Sequence, residues 1–116
     1  MRIKTTILFS LIASLGLANL ACAEGQADGK SLAFDRTKGN CLACHAIPGE
    51  PKAESPGNIG PPLINMKDRF PDRAKLRAQI WDATQINPDS VMPPFGRNKL
   101  LTDQEVDLVT DYIKSL

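Results

Sequence analysis

Histidine is almost missing from this chain: His45 is the only one in 116 residues. Cysteine is nearly as scarce. Of the three, Cys22 sits at the end of an N-terminal apolar stretch, which leaves Cys41 and Cys44 beyond it. Every thiol and imidazole downstream of that stretch therefore falls within five consecutive residues. The chain also lacks an excess of charge of either sign, with 14 basic and 13 acidic side chains. This balance gives no reason to expect binding to nucleic acid or to an anionic membrane surface. No apolar run reaches the roughly 20 residues of a spanning helix; the longest extends from Ile7 to Leu20. Strand-period alternation is absent as well. The length suits one small domain and is too short for two.

The N-terminus reads as an export signal. Arg2 and Lys4 give a short positive stretch, the apolar run follows, and Ala21-Cys22-Ala23 supplies small residues at both positions of an A-x-A-type cleavage site. Residues 1–23 are thus expected to be removed, leaving 24–116 as a single periplasmic domain with 12 basic and 13 acidic side chains. A lipid on Cys22 is the competing use of that cysteine. Asn19 then occupies the position where a lipoprotein signal wants an aliphatic residue, which disfavours it.

Cys41-Leu42-Ala43-Cys44-His45 is a Cys-x-x-Cys-His pattern, the attachment signal for a c-type haem. Two thiols about one helical turn apart can each add to one of the two vinyl groups. The adjacent imidazole then faces the iron from the same side. Two other uses of the cysteines fit less well. A structural zinc site needs four ligands, and only two thiolates and one imidazole remain. A thioredoxin-like pair wants a βαβ context that the flanking sequence does not offer.

With no second histidine, the candidates for the other axial ligand are the two methionines beyond the apolar stretch. Met66, in Leu63-Ile64-Asn65-Met66-Lys67, reads as a packing residue. Met92 lies in Val91-Met92-Pro93-Pro94-Phe95-Gly96, where two prolines exclude a helix and fix the backbone of a loop. His45 and Met92 are therefore the expected iron ligands. This pairing raises the reduction potential and leaves no open position for substrate.

The rest of the chain reads as helical. A short helix is expected between Gly29 and Lys38, interrupted at Gly39-Asn40, and a Pro/Gly-rich loop from Ala46 to Pro62. A second helix is expected from Pro71-Asp72 to about Thr84, with Leu76, Ile80 and Trp81 on one face. The last helix starts at the capping box Thr102-Asp103-Gln104-Glu105 and carries Val106, Val109, Ile113 and Leu116 on one stripe. Lys67, Arg69, Arg73, Lys75 and Arg77 form a basic cluster, whereas the last helix is acidic. Solvated helix faces or a basic docking surface for an acidic partner would both account for this. Trp81 and Arg77 are candidate donors to the haem propionates, with ordinary packing and solvation as the alternative roles.

The order of Cys41–His45, Gly60-Pro61 and the Met92 loop between terminal helices resembles the class I cytochromes c, all-α domains wrapped around one covalent haem. The resemblance implies that the Pro61 carbonyl bonds to the ligating histidine and that Leu63 packs on the haem. Phe34-Asp35-Arg36, Gly39-Asn40, Gly60-Pro61-Pro62-Leu63, Ile80-Trp81-Asp82-Ala83-Thr84, Asn87-Pro88 and Met92-Pro93-Pro94-Phe95-Gly96 narrow it to the SoxX group. The one departure is at Arg97-Asn98, where a smaller, glycine-bearing turn is expected. This likeness implies a SoxA-like cytochrome partner in a SoxAX complex, an L-cysteine S-thiosulfotransferase that joins thiosulfate to a cysteine of the SoxYZ carrier. The present chain would pass the released electrons to a downstream acceptor, another cytochrome. With Cys41 and Cys44 consumed by thioethers, it would have no thiol for sulfur chemistry and no catalytic site. A free-standing respiratory electron shuttle is the alternative, and a haem catalyst or sensor a third, which needs an open iron.

Overall fold

The structure, a computed structural model, describes residues 27–116. The expected export signal, with Cys22 and its cleavage site, lies outside the described residues. Among the described residues the longest element is the C-terminal helix, whose start is set by its capping residues. The Thr102 hydroxyl accepts from the Glu105 N–H at 3.2 Å, and the Glu105 carboxylate accepts from the Thr102 N–H at 2.8 Å. The capping box is formed as the pattern predicts.

Four α-helices occur among the described residues: α1 Gly29–Phe34, α2 Met66–Arg69, α3 Arg73–Trp81 and α4 Asp103–Lys114. Short 3-10 turns occupy Cys41–Ala43 and Ala83–Gln85, and no strand is present there. Helices α1 and α3 both pack on α4. Buried Leu32, Leu76, Ile80, Val106, Val109 and Ile113 meet in one core. Leu116 packs against its edge, completing the expected α4 stripe.

Two helices are shorter than their sequence pattern implies, for the same reason. Helix α1 stops at Phe34 instead of running to Lys38. The Asp35 carboxylate takes the Thr37 N–H and hydroxyl, both at 2.7 Å, and turns the chain. Helix α3 stops at Trp81 instead of Thr84. Asp82 leaves helical geometry at φ −161° and accepts the Thr84 N–H at 3.1 Å, capping the 3-10 turn that follows. Short acidic side chains compete with the helical ladder for backbone donors. Helix α2 was not foreseen. It is entered through Asn65 in the left-handed region at φ 52°, a conformation asparagine tolerates. It is tied to the C-terminus by the Met66 N–H, which donates to the Leu116 carbonyl at 2.9 Å.

The basic and acidic segments turn out to face each other. Arg73 bridges Asp107 at 3.2 Å and also binds Asp111, while Arg77 reaches Asp107 at 2.9 Å and Asp103 at 3.4 Å. Arg73 and Arg77 thus spend their charge on α4, and in the described residues Lys67 and Lys75 have no ion-pair partner. Exposed pairs of this kind contribute modestly, each on the order of 0.2–1 kcal/mol.

The same contacts set a pH dependence. Bonds from Arg77 hold Asp107 below the usual carboxylate range, those from Arg73 do so for Asp111, and those from Lys38 for Glu105. Bonds from Thr84, and after them the Arg97 charge, lower Asp82. Their stabilisation is complete above the unfolded values near pH 4 and is lost as pH falls through the depressed folded values. The thermal midpoint should therefore be nearly flat above about pH 5 and drop progressively below about pH 4. A midpoint at about pH 3 equal to that at about pH 7 would contradict this.

Candidate haem site

The Cys41–Ala43 turn starts from Asn40, again in the left-handed region at φ 48°. The His45 N–H closes the motif on the Cys41 carbonyl at 2.9 Å, and the two cysteines are not joined as a disulfide. Both sulfurs and the imidazole therefore belong to one compact turn. Burial pushes the Cys41 thiol up to about 11, so this position favours a neutral sulfur. An uncharged thioether suits that setting.

The Pro/Gly-rich loop runs alongside the motif. The N–H groups of Gly57, Gly60 and Leu63 each donate at 2.8 Å to the carbonyls of Leu42, Cys44 and Ala46. Three bonds to alternate residues place the loop under the His45 ring. His45 Nδ1 lies 2.7 Å from the Pro61 carbonyl, which fixes Nδ1 as the N–H donor and leaves Nε2 with a free lone pair. Gly60 lies so close that a Cβ there would stand within the imidazole.

This turn opens onto a cavity of about 530 Å³, within the ordinary range for a cofactor site. Cys41, Cys44, His45, Pro61, Leu63 and Met92 all line it. Its floor is apolar, with buried Leu76, Ile80, Phe95, Val109 and Ile113. Exposed Arg69, Asn87 and Asp89 supply its polar margin. An apolar chamber with a polar margin fits a flat macrocycle bearing two carboxylates, and the residues present fit a haem.

Met92 and Met66 differ in setting although both line the cavity. Met66 is 2 % exposed and sits in the core, with the Arg69 guanidinium 3.2 Å from its sulfur. Met92 is half-buried on a loop, with its N–H donating to Ser90 Oγ at 3.3 Å. Trp81 and Arg77 are placed elsewhere. The indole lies against Gly96, and the Arg77 guanidinium covers it 5.4 Å from the ring centre. Neither side chain lines the cavity. Arg69 does, though the sequence offered no sign that distinguished it from its basic neighbours.

The comparisons agree with this geometry. Residues 26–116 match the family model described as cytochrome c. In fold, the chain is similar to the crystal structure of SoxXA from P. pantotrophus. The TM-score is 0.68 at 27 % sequence identity, with 75 % of this chain and 77 % of that one covered. It is also 36 % identical over 76 residues to a protein of Aquifex aeolicus (strain VF5) named "Uncharacterized lipoprotein". That match covers 66 % of this chain and only 36 % of the relative's length.

Proposed function

Since the chain belongs to the cytochrome c family, as a SoxX-like member with one covalent haem c on Cys41 and Cys44, we propose that it is the electron-transfer subunit of a periplasmic SoxAX-type complex. Haem iron supplies one-electron redox chemistry. The protein's own residues bind, orient and shield it. His45, steadied through Nδ1 by the Pro61 carbonyl, and Met92 would hold the iron through an imidazole nitrogen and a thioether sulfur. Leu63 and the apolar floor keep water from the macrocycle. With two axial side chains in place the site passes electrons and does not bind substrate. Thiosulfate chemistry then belongs to a SoxA-like partner, and the SoxYZ carrier meets this chain only through the complex.

The observation that carries this reading is that His45 and Met92 line one apolar cavity together with both cysteines. The likeness to SoxXA supports the choice of partner. Export through residues 1–23 delivers the chain to the periplasm, and among the described residues no helix is long and apolar enough to cross a membrane.

Gentle purification from the native periplasm tests the assignment. The chain is expected to co-elute with a second cytochrome at a fixed ratio, both haems being visible in the spectrum. A monomeric red protein without that partner would favour the respiratory shuttle instead, since a permanent subunit buries more surface than a transient encounter does.

A further inference from the structure

The segment that carries Met92 is fastened at both ends to the same short stretch, Trp81–Gln85. At its entry the Asn87 N–H donates to the Ala83 carbonyl at 3.0 Å. At its exit the Gly96 and Arg97 amides donate to the Trp81 carbonyl at 3.1 and 3.3 Å. Between these ties the Phe95 ring is buried in the core and the Pro94 and Phe95 carbonyls accept from the Asn98 and Leu101 N–H groups at 2.9 and 3.0 Å, whereas the stretch around Met92 has fewer ties of its own. Pro93 and Pro94 have no N–H, and from Val91 to Phe95 the Met92 amide is the one backbone donor with a partner among the described residues. The position of the sulfur therefore depends on the anchors.

The exit anchor is reinforced by side chains. Arg97 reaches back to Asp82, with Nη1 2.7 Å from Oδ2, and lies 3.3 Å from the Thr84 hydroxyl. Asp82 is 1 % exposed and also accepts from the Thr84 N–H, the Thr84 hydroxyl and the Gln85 amide. Among the described residues Arg97 is its only charged donor, and a charged donor bonds a carboxylate more strongly than a neutral one does. Next to this pair, Gly96 lies flat on the Trp81 indole, close enough that a Cβ would enter the ring. Rotation of the exit is thus blocked on one side by the indole and on the other by the ion pair.

We propose that the Asp82–Arg97 pair is a positioning clamp for the Met92 thioether, holding the loop exit so that the sulfur stays on the haem iron. This rests on Met92 being the axial ligand. Arg97 is a positioning residue: it acts through the loop and does not line the cavity. Its place is also where the sequence departs from the smaller turn that the resemblance implies.

Imidazole, which competes with the thioether for ferric iron, measures how often the sulfur lets go. Its apparent affinity scales with the sulfur-off fraction, so Arg97→Gln holoprotein should bind imidazole about five- to tenfold more tightly than wild type. Asp82 keeps three other donors in that variant, and Arg97 is half-exposed, so the fold is expected to survive. Arg97→Lys keeps the charge but changes the reach and direction of the one nitrogen, Nη1, that contacts both Asp82 and Thr84, and should show only about a two- to threefold gain. It carries the test alone should Arg97→Gln yield no holoprotein. Arg73→Gln removes ion pairs to α4 remote from the loop and should lower the unfolding temperature without changing imidazole affinity.

Two results overturn the clamp: unchanged imidazole affinity in the Arg97 variants, or an equal gain in Arg73→Gln. The premise is separately readable. A wild-type ferric spectrum without the far-red methionine-to-iron band would refute the ligand reading. That band present, lost in Met92→Ala and accompanied by indifferent Arg97 variants would refute the clamp alone.

Discussion

Met92→Ala is expected to abolish the far-red charge-transfer band of the ferric protein while leaving the haem covalently attached. Attachment depends on Cys41 and Cys44, which sit on a turn of their own, 51 and 48 positions before Met92 in sequence, so the variant should remain red. What changes is the sixth ligand. No second histidine exists in the chain, and Met66 is held in the core with Arg69 against its sulfur. The reduction potential should fall by more than about 59 mV, a tenfold shift in a one-electron equilibrium, because methionine opposite histidine favours the reduced iron. An open position should also admit imidazole or other exogenous ligands readily. A normal band and potential in this variant would transfer the role to Met66 and remove the basis of the proposed clamp. The cavity makes this a real contest, since both methionines line it.

How much of this could be read beforehand depended on the distance over which each feature is encoded. The haem motif was legible because its chemistry is complete within Cys41–His45. The α4 start was legible because a capping box closes over three residues, as the Thr102 and Glu105 bonds do. Features that rely on tertiary register were not. Arg73 and Arg77 looked like a free basic face until the packing of α3 on α4 set them against Asp107. Asp82 looked like the interior of a helix, and nothing local marks it as the buried end of a pair with Arg97. Trp81 fell on the apolar stripe of α3 by spacing alone. The backbone of Gly96, brought in by the Met92 loop, is what occupies the space beside it. Helix α2 is four residues long, too short for any periodicity to show, and its entry depends on a left-handed Asn65.

The other large effect is expected at Gly60, and it separates space from flexibility as the reason for a glycine. Gly60 does not occupy the left-handed region, so its backbone is open to any residue. The demand on it is steric. Its N–H is held by the Cys44 carbonyl at 2.8 Å, and the next residue, Pro61, holds the imidazole of His45 at 2.7 Å. A methyl group at position 60 must displace either that ring or the loop beneath it. In the proposed haem site the ring would have little freedom, because its neighbour Cys44 would be tied to the macrocycle and its own Nε2 committed to iron. The loop cannot retreat without giving up the bonds at Gly60 and Pro61. Overpacking in a site that cannot relax, together with a weakened bond to a carbonyl, should cost about 2–4 kcal/mol. Gly60→Ala should therefore give a poor yield of holoprotein. The fraction that does form should unfold at a markedly lower temperature than wild type. Its potential should shift too, since losing the Pro61 contact makes the histidine a weaker donor to iron. Wild-type yield, stability and potential in Gly60→Ala would mean that the imidazole is not pinned between Gly60 and Pro61. The orientation of His45 would then have to come from its covalent neighbour Cys44 alone.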